Sequence, residues 1–310
     1  MACSTRVAEF CRAAQSVIVG KSVQIEIAVI TLLSEGHLLI EDLPGVGKTM
    51  LARTLARLLS GVFKRIQFTP DLLPSDVVGV SVFDQREQQF RFQEGPVFAN
   101  VVLADEINRA SPRTQSSLLE SMSESQVTVD GTTRPLPTPH LVIATQNPAE
   151  LEGTFRLPVA QLDRFFSRIS LGYPAEDDEL QILFAQANSH PLHDLSPWGS
   201  IHDFSKLQRA VRSVFVDASV ARYATRLVGA TRASQLFSIP ASPRASLALF
   251  RGAQARALLH GRYYSVPDDV RELFISLVGH RVTLSLEARR KGMSESDALH
   301  VIASAVNPPI

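Results

Sequence analysis

Apolar residues in the first half of the chain fall alternately into short runs and into helical spacing. Runs at His37–Asp42, Arg65–Phe68, Val101–Asp105, Leu141–Thr145 and Arg168–Leu171 predict five strands. Between them, helical patterns cover Met50–Leu59, Pro112–Met122 and Val159–Phe166. That alternation signals a parallel sheet with crossover helices, an α/β fold. Ser111-Pro112 is a helix start, with serine as N-cap and proline at the first helical position. Two stretches break the βα rhythm. Val80–Phe92 alternates around Asp84-Gln-Arg-Glu and predicts an inserted hairpin, and Gln126–Arg134 predicts a second, with Asp130-Gly131 as its turn.

The pattern changes near Gly172-Tyr-Pro174, after which Ala, Leu and Arg recur at helical spacing and no strong strand candidate remains. His190–Ser200, bearing Pro, His and Ser, has the look of a connection. The expected organisation is a core over residues 1–174 with an N-terminal helix and both hairpins, a linker over 175–195, and a smaller all-helical domain over 196–310.

Composition narrows the class. The 310 residues suffice for roughly two domains, and 45% apolar with 20% charged residues is an ordinary globular balance. Lys+Arg and Asp+Glu both number 31, so the formal net charge is zero. Nucleic acid is therefore not expected as the main ligand, because its binders usually carry a basic footprint. Cys3 and Cys11 show no metal-site spacing and suit a reducing compartment. The most apolar stretch, Val23 to Leu43, is interrupted by Glu26, Glu35, His37 and Glu41, and no signal-peptide layout opens the chain. The expectation is a cytoplasmic protein with no membrane segment.

The chemistry begins at Leu38-Leu-Ile-Glu-Asp-Leu-Pro-Gly-Val-Gly-Lys-Thr49, where an apolar strand enters a glycine-bearing turn and then an apolar helix. This is the layout of a P-loop, whose backbone N–H groups wrap nucleotide phosphates at a helix N-terminus. Pro44, Gly45, Val46, Gly47, Lys48, Thr49 and Met50 would form the cradle. Lys48 would neutralise the β- and γ-phosphates, and the Thr49 hydroxyl would hold Mg²⁺. Asp42 stands where the general pattern has glycine. A second apolar strand ends in Asp105-Glu106; the aspartate would support Mg²⁺ through water and the glutamate would polarise the attacking water. The strand Leu141–Thr145 delivers Gln146-Asn147-Pro148, placing an amide where it could bond the γ-phosphate or that water. Arg164, or in reserve Arg168, could reach a neighbouring subunit's nucleotide as a finger. Ser242-Pro243-Arg244 opens a later helix with arginine in its first turn, against the helix dipole, so an anion is expected there.

In this order these residues resemble an AAA+ ATPase, and the intervening text is more specific. Phe68-Thr-Pro-Asp-Leu-Leu-Pro-Ser-Asp76, Gly95-Pro-Val-Phe-Ala-Asn100, Ala104-Asp-Glu-Ile-Asn-Arg-Ala110 and Val127-Thr-Val-Asp-Gly131 resemble the MoxR family. So do Ala144-Thr-Gln-Asn-Pro148, Ala160-Gln-Leu-Asp-Arg-Phe165, Ser242-Pro-Arg-Ala245 and Tyr264-Ser-Val-Pro-Asp-Asp-Val270. The family pattern has aspartate at position 42. Val159 and Arg156 depart from it, which implies different subunit contacts before Arg164. The resemblance implies a doubly wound αβα ATPase core with a five-stranded parallel sheet and a helical lid, with ATP and Mg²⁺ between them. It also implies assembly into a ring, expected to be a hexamer, with Arg164 acting in trans and Arg244 in cis. By the same resemblance, the activity is chaperone-like maturation of another protein, often alongside a partner carrying a von Willebrand factor A domain. Rival readings are a nucleotide-gated ring scaffold that hydrolyses slowly, a chelatase-like motor subunit, and a helicase.

Overall fold

The computed structural model describes residues 2–148, 153–187 and 191–309. Two helices, α1 (Ala2–Gln15) and α2 (Ser22–Leu33), precede β1 (Leu38–Glu41). Then come α3 (Lys48–Leu58), β2 (Phe63–Gln67), α4 (Pro74–Val78), and the hairpin β3 (Gly79–Asp84) and β4 (Gln89–Glu94). Next are β5 (Val101–Asp105), α5 (Pro112–Glu124), the hairpin β6 (Gln126–Val129) and β7 (Thr132–Pro135), then β8 (Leu141–Gln146), α6 (Val159–Leu162) and β9 (Ser167–Ile169). The C-terminal part contains α7 (Glu176–Gln186), α8 (Pro191–Asp194), α9 (Ile201–Arg212), α10 (Ala218–Ala233), β10 (Phe237–Ile239), α11 (Pro243–Leu259), α12 (Pro267–Val278), β11 (Thr283–Leu284), α13 (Leu286–Arg290) and α14 (Glu295–Ala305).

The central sheet runs β2-β5-β8-β1-β9, every neighbouring pair parallel. Its inner strands β1, β5 and β8 are apolar on both faces up to their carboxyl ends, because both faces are covered. Leu38, Ile40, Leu103 and Ile143 point into one core, and Leu39, Val102, Ala104 and Val142 into the other. The first of these cores does not stop at α1–α3. It continues through Phe204, Leu249, Phe274 and Leu277, so the C-terminal helices pack onto the sheet domain through shared apolar surface. Register holds the strand ends level: Glu41 lies opposite Gln146, and Gln67 opposite Asp105. In parallel α/β sheets that carboxyl rim is where ligands bind.

The turn of the second hairpin has both Asp130 and Gly131 at positive φ, as a two-residue hairpin turn matching strand twist requires. Ser111 accepts the Thr114 N–H and caps α5, with Pro112 in its first turn.

Two expectations need correction. The helix read over Val159–Phe166 ends at Leu162, because Phe165 and Phe166 turn inward and are buried. The C-terminal domain is not all-helical: β10 and β11 form a small antiparallel ribbon, Phe237 opposite Leu284. Strands of two and three residues carry no period-2 signal, and their pairing spans more than forty residues of chain. The stretch read as a linker carries α7 and α8, and the connection expected from His190 begins outside the described residues. No helix among the described residues is long and apolar enough to cross a membrane.

Candidate functional site

The chain leaves β1, turns through Gly45 at φ +83° and Gly47 at φ +97°, and enters α3. Both glycines lie in the left-handed region that side chains disfavour. A Cβ added at either would meet nothing within 4 Å, so the turn's shape and not crowding requires them. Gly47 caps α3 without any side-chain cap bond, which leaves the first-turn amides available to an anion. Lys48 Nζ donates to the Asp42 carbonyl at 2.9 Å.

Asp42 itself is explained by what it holds. Its side chain is buried and accepts the Leu43 N–H, the Leu171 and Gly172 N–H groups and the Ser170 hydroxyl. It thereby ties the start of the loop to the exit from β9, where the sheet hands over to the C-terminal helices. Glycine could make no such tie.

Across the rim, Thr145 is fully buried at the end of β8 and organises the acidic pair. Its hydroxyl donates to Asp105 Oδ1 at 2.6 Å and accepts the Glu106 N–H at 2.9 Å. Glu106 sits at φ 57°, ψ 48°, a left-handed backbone that costs a non-glycine residue on the order of 1 kcal/mol and turns its carboxylate into the rim. Arg65 meets Asp105 Oδ2 at 2.6 Å, while Gln67 and Arg109 both donate to Glu106 Oε2, at 2.8 and 3.0 Å.

One cavity of about 380 Å³ gathers Pro44, Gly45, Gly47, Lys48, Thr49, Met50, Asp105, Glu106 and Asn147. Of the cradle residues expected from sequence, Val46 alone does not line it. Thr49 and Asp105 offer hard oxygen donors on one wall, a set that fits Mg²⁺. The open amides and Lys48 fit a polyphosphate. Arg65 and Gln67 also line the cavity and were not anticipated from sequence. Their signal was available: two polar residues of like parity at the carboxyl end of a strand otherwise read only as structure. Thr145 was likewise passed over as a strand residue.

The remaining arginines lie elsewhere. Arg164 is exposed and donates to the Leu119 carbonyl at 2.7 Å and the Ser123 hydroxyl at 3.0 Å, at the end of α5. Beside it, Asp163 accepts the Ser242 hydroxyl at 2.9 Å and pairs with buried Arg281 at 2.8 Å. Ser242 is the N-cap of α11, so Arg244 stands exposed near Asp163 and Arg281, outside the cavity. Arg244 is thus not among the residues that line the cavity with Lys48. Arg168 turns inward to Glu41 at 2.9 Å, half-buried.

Comparison with known proteins agrees with this geometry. The family model for the ATPase family associated with various cellular activities (AAA) matches residues 37–167, and the AAA lid domain matches residues 229–301. The chain is 48% identical to the uncharacterized protein YeaC of Bacillus subtilis, over 95% of this chain and 92% of that one. It is 40% identical to chaperone MoxR1 of Mycobacterium tuberculosis, over 94% of this chain and 80% of that one. A solved structure of a candidate ATPase from Cytophaga hutchinsonii superposes with a TM-score of 0.91 at 36% identity, covering 100% of this chain and 96% of that one.

Proposed function

Because the chain belongs to the MoxR family of AAA+ ATPases, we propose that it hydrolyses ATP with Mg²⁺ in a ring of like subunits to remodel or mature a partner protein. The observation that carries this reading is the single cavity uniting Lys48, Thr49, Asp105, Glu106 and Asn147 at the carboxyl rim of the sheet. Lys48 and the amides of Pro44–Thr49 would hold the phosphates, and Thr49 and Asp105 would hold Mg²⁺, which when bound neutralises phosphate charge. Glu106 orients the attacking water and takes its proton, and Asn147 positions that water.

Neither Arg164 nor Arg244 lines the cavity of its own subunit, which supports assigning both to the nucleotide of a neighbouring subunit. Arg244 is thereby moved from the cis role expected of it to a trans role. Arg168 is half-buried and paired with Glu41 within its own subunit, which favours the more exposed Arg164 as the finger. A trans finger makes turnover depend on assembly. The remodelling role follows the relative described as a chaperone, and a von Willebrand factor A domain partner, a hexameric ring and a cytoplasmic setting follow from the family resemblance.

Steady-state ATP turnover against protein concentration tests the reading. Turnover per subunit should climb with concentration for the wild type and fall at least about hundredfold in Glu106→Gln and Arg164→Ala. A concentration-independent rate, or full activity in Arg164→Ala, would defeat the trans assignment. Tight ATP binding with negligible wild-type turnover would favour the scaffold reading. One observation inclines that way in the absence of a partner: Asp105 and Glu106 are already paired with side chains of their own subunit.

A further inference from the structure

The rim contains an unbroken chain of side-chain contacts that the P-loop mechanism does not use. Thr145 donates to Asp105 Oδ1, and Arg65 donates to Asp105 Oδ2 through Nη2 at 2.6 Å and Nε at 3.2 Å. The same Arg65 Nη2 donates to Gln67 Oε1 at 2.9 Å, and Gln67 Nε2 donates to Glu106 Oε2 at 2.8 Å. Residues 65 and 67 share one face of β2 by strand parity, and register sets Gln67 directly opposite Asp105.

The carboxylate that should support a divalent cation therefore already has a cation on it. The guanidinium and a doubly charged metal supported at the same carboxylate repel one another, so loading should weaken the Arg65–Asp105 contact. The side chain most able to yield is Arg65. It is 48% exposed, it rises from an edge strand, and an exposed ion pair of this kind contributes little to the fold. Its charge faces the cavity with the phosphate-binding Lys48.

We propose that Arg65 is a positioning residue that stands in for Mg²⁺ at Asp105 in the metal-free protein and gives way to it on loading. Because Arg65 also holds the Gln67 amide, its departure loosens the hold of Gln67 on Glu106. Of the two donors on Glu106 Oε2, Gln67 is then loosened and Arg109 remains. This rests on the reading of the cavity as a Mg²⁺–nucleotide site.

The test is binding of N-methylanthraniloyl ADP, by fluorescence, in excess Mg²⁺ and in chelator, for the wild type, Arg65→Ala and Arg65→Lys. In the wild type, Mg²⁺ should tighten binding. In Arg65→Ala, the ratio of affinity with Mg²⁺ to affinity in chelator should widen about two- to fivefold, the range expected for loss of one competing exposed ion pair. Two changes contribute: the metal no longer displaces a cation, and the metal-free cavity loses a positive charge. Arg65→Lys keeps the charge but not the guanidinium fork that reaches both Asp105 and Gln67, so its ratio should fall between those of the wild type and Arg65→Ala. An unchanged or narrowed ratio in Arg65→Ala, with the unfolding midpoint preserved, overturns the inference and leaves the nucleotide reading intact. No binding by the wild type in either condition overturns both. Should Arg65→Ala fold poorly, Arg65→Gln carries the same comparison.

Discussion

At the scale of single residues, His37 shows how a backbone contact can dictate a protonation state. It precedes β1 at the end of the sheet remote from the cavity. The Val142 N–H donates to its Nδ1 at 3.1 Å, so that nitrogen must carry a lone pair, while Nε2 meets the Met122 carbonyl at 3.0 Å. Burial, with His140 nearby, pulls its pKa down to about 3. His140 and His280 are lowered for the same leading reason, burial. The sign follows from linkage: below the ordinary value near 6.5, the unfolded chain binds a proton that folded His37 refuses. Stability is therefore full above about pH 6.5 and declines as pH falls toward 3. Between pH 7 and pH 5, His37 alone should cost about 2 kcal/mol. His37→Gln, whose amide can donate and accept in the same directions, should lose correspondingly less over that interval, read from urea midpoints at the two pH values. Equal pH dependence in both proteins would show that His37 is not the group involved.

At the scale of elements, legibility tracked how local the determining contacts are. The strand–turn–helix of the loop at Gly45–Lys48, the five core strands, the cap of α5 and the Asp130-Gly131 turn each declare themselves within a few consecutive residues, and all are present, the strand bounds shifted by up to two residues. The early end of α6 and the β10–β11 ribbon depend on partners far along the chain, and neither could be read. In the site, Lys48, Thr49, Asp105, Glu106 and Asn147, each read from a local motif, line one cavity. Arg65, Gln67 and Thr145 were passed over: the like parity of Arg65 and Gln67 was visible, but only strand register brings all three to the acids. The position of Arg244 was also hidden: the sequence puts it in a helix first turn, but Asp163 decides where that turn docks. Asp163 is gripped by Ser242 and by Arg281, which is only 4% exposed and also donates to the Phe165 carbonyl. Asp163→Ala should cost about 3–5 kcal/mol, since it strands a buried guanidinium. Arg281→Met in the same chain should recover part of that loss, because no unpaired charge remains. Additive costs in the unfolding free energies of the two single variants and the double would show that the clasp does not couple the two elements.

At the scale of the whole molecule, the proposed trans assignment divides one reaction centre between two subunits. Lys48, Thr49, Asp105, Glu106 and Asn147 line a cavity to which neither Arg164 nor Arg244 of the same subunit contributes. A contact joining one patch to a different patch of a like subunit is heterologous, and it closes only as a ring. Subunit mixing tests whether the two halves meet this way. Glu106→Gln has a dead cavity but intact arginines, and Arg164→Ala the reverse. In a random equal mixture, about a quarter of interfaces join a sound cavity to sound arginines, so about a quarter of wild-type turnover should return. Arg244→Ala mixed with Glu106→Gln should recover to the same extent if Arg244 acts in trans, and not at all if it serves its own cavity. The decisive mixture is Arg164→Ala with Arg244→Ala. If both arginines act on the neighbour, every interface lacks one of them and no activity returns. If Arg244 acts in cis, about a quarter of sites pair a subunit retaining Arg244 with a neighbour supplying Arg164, and activity reappears. Because Arg244 does not line its own subunit's cavity, the silent mixture is the expected outcome.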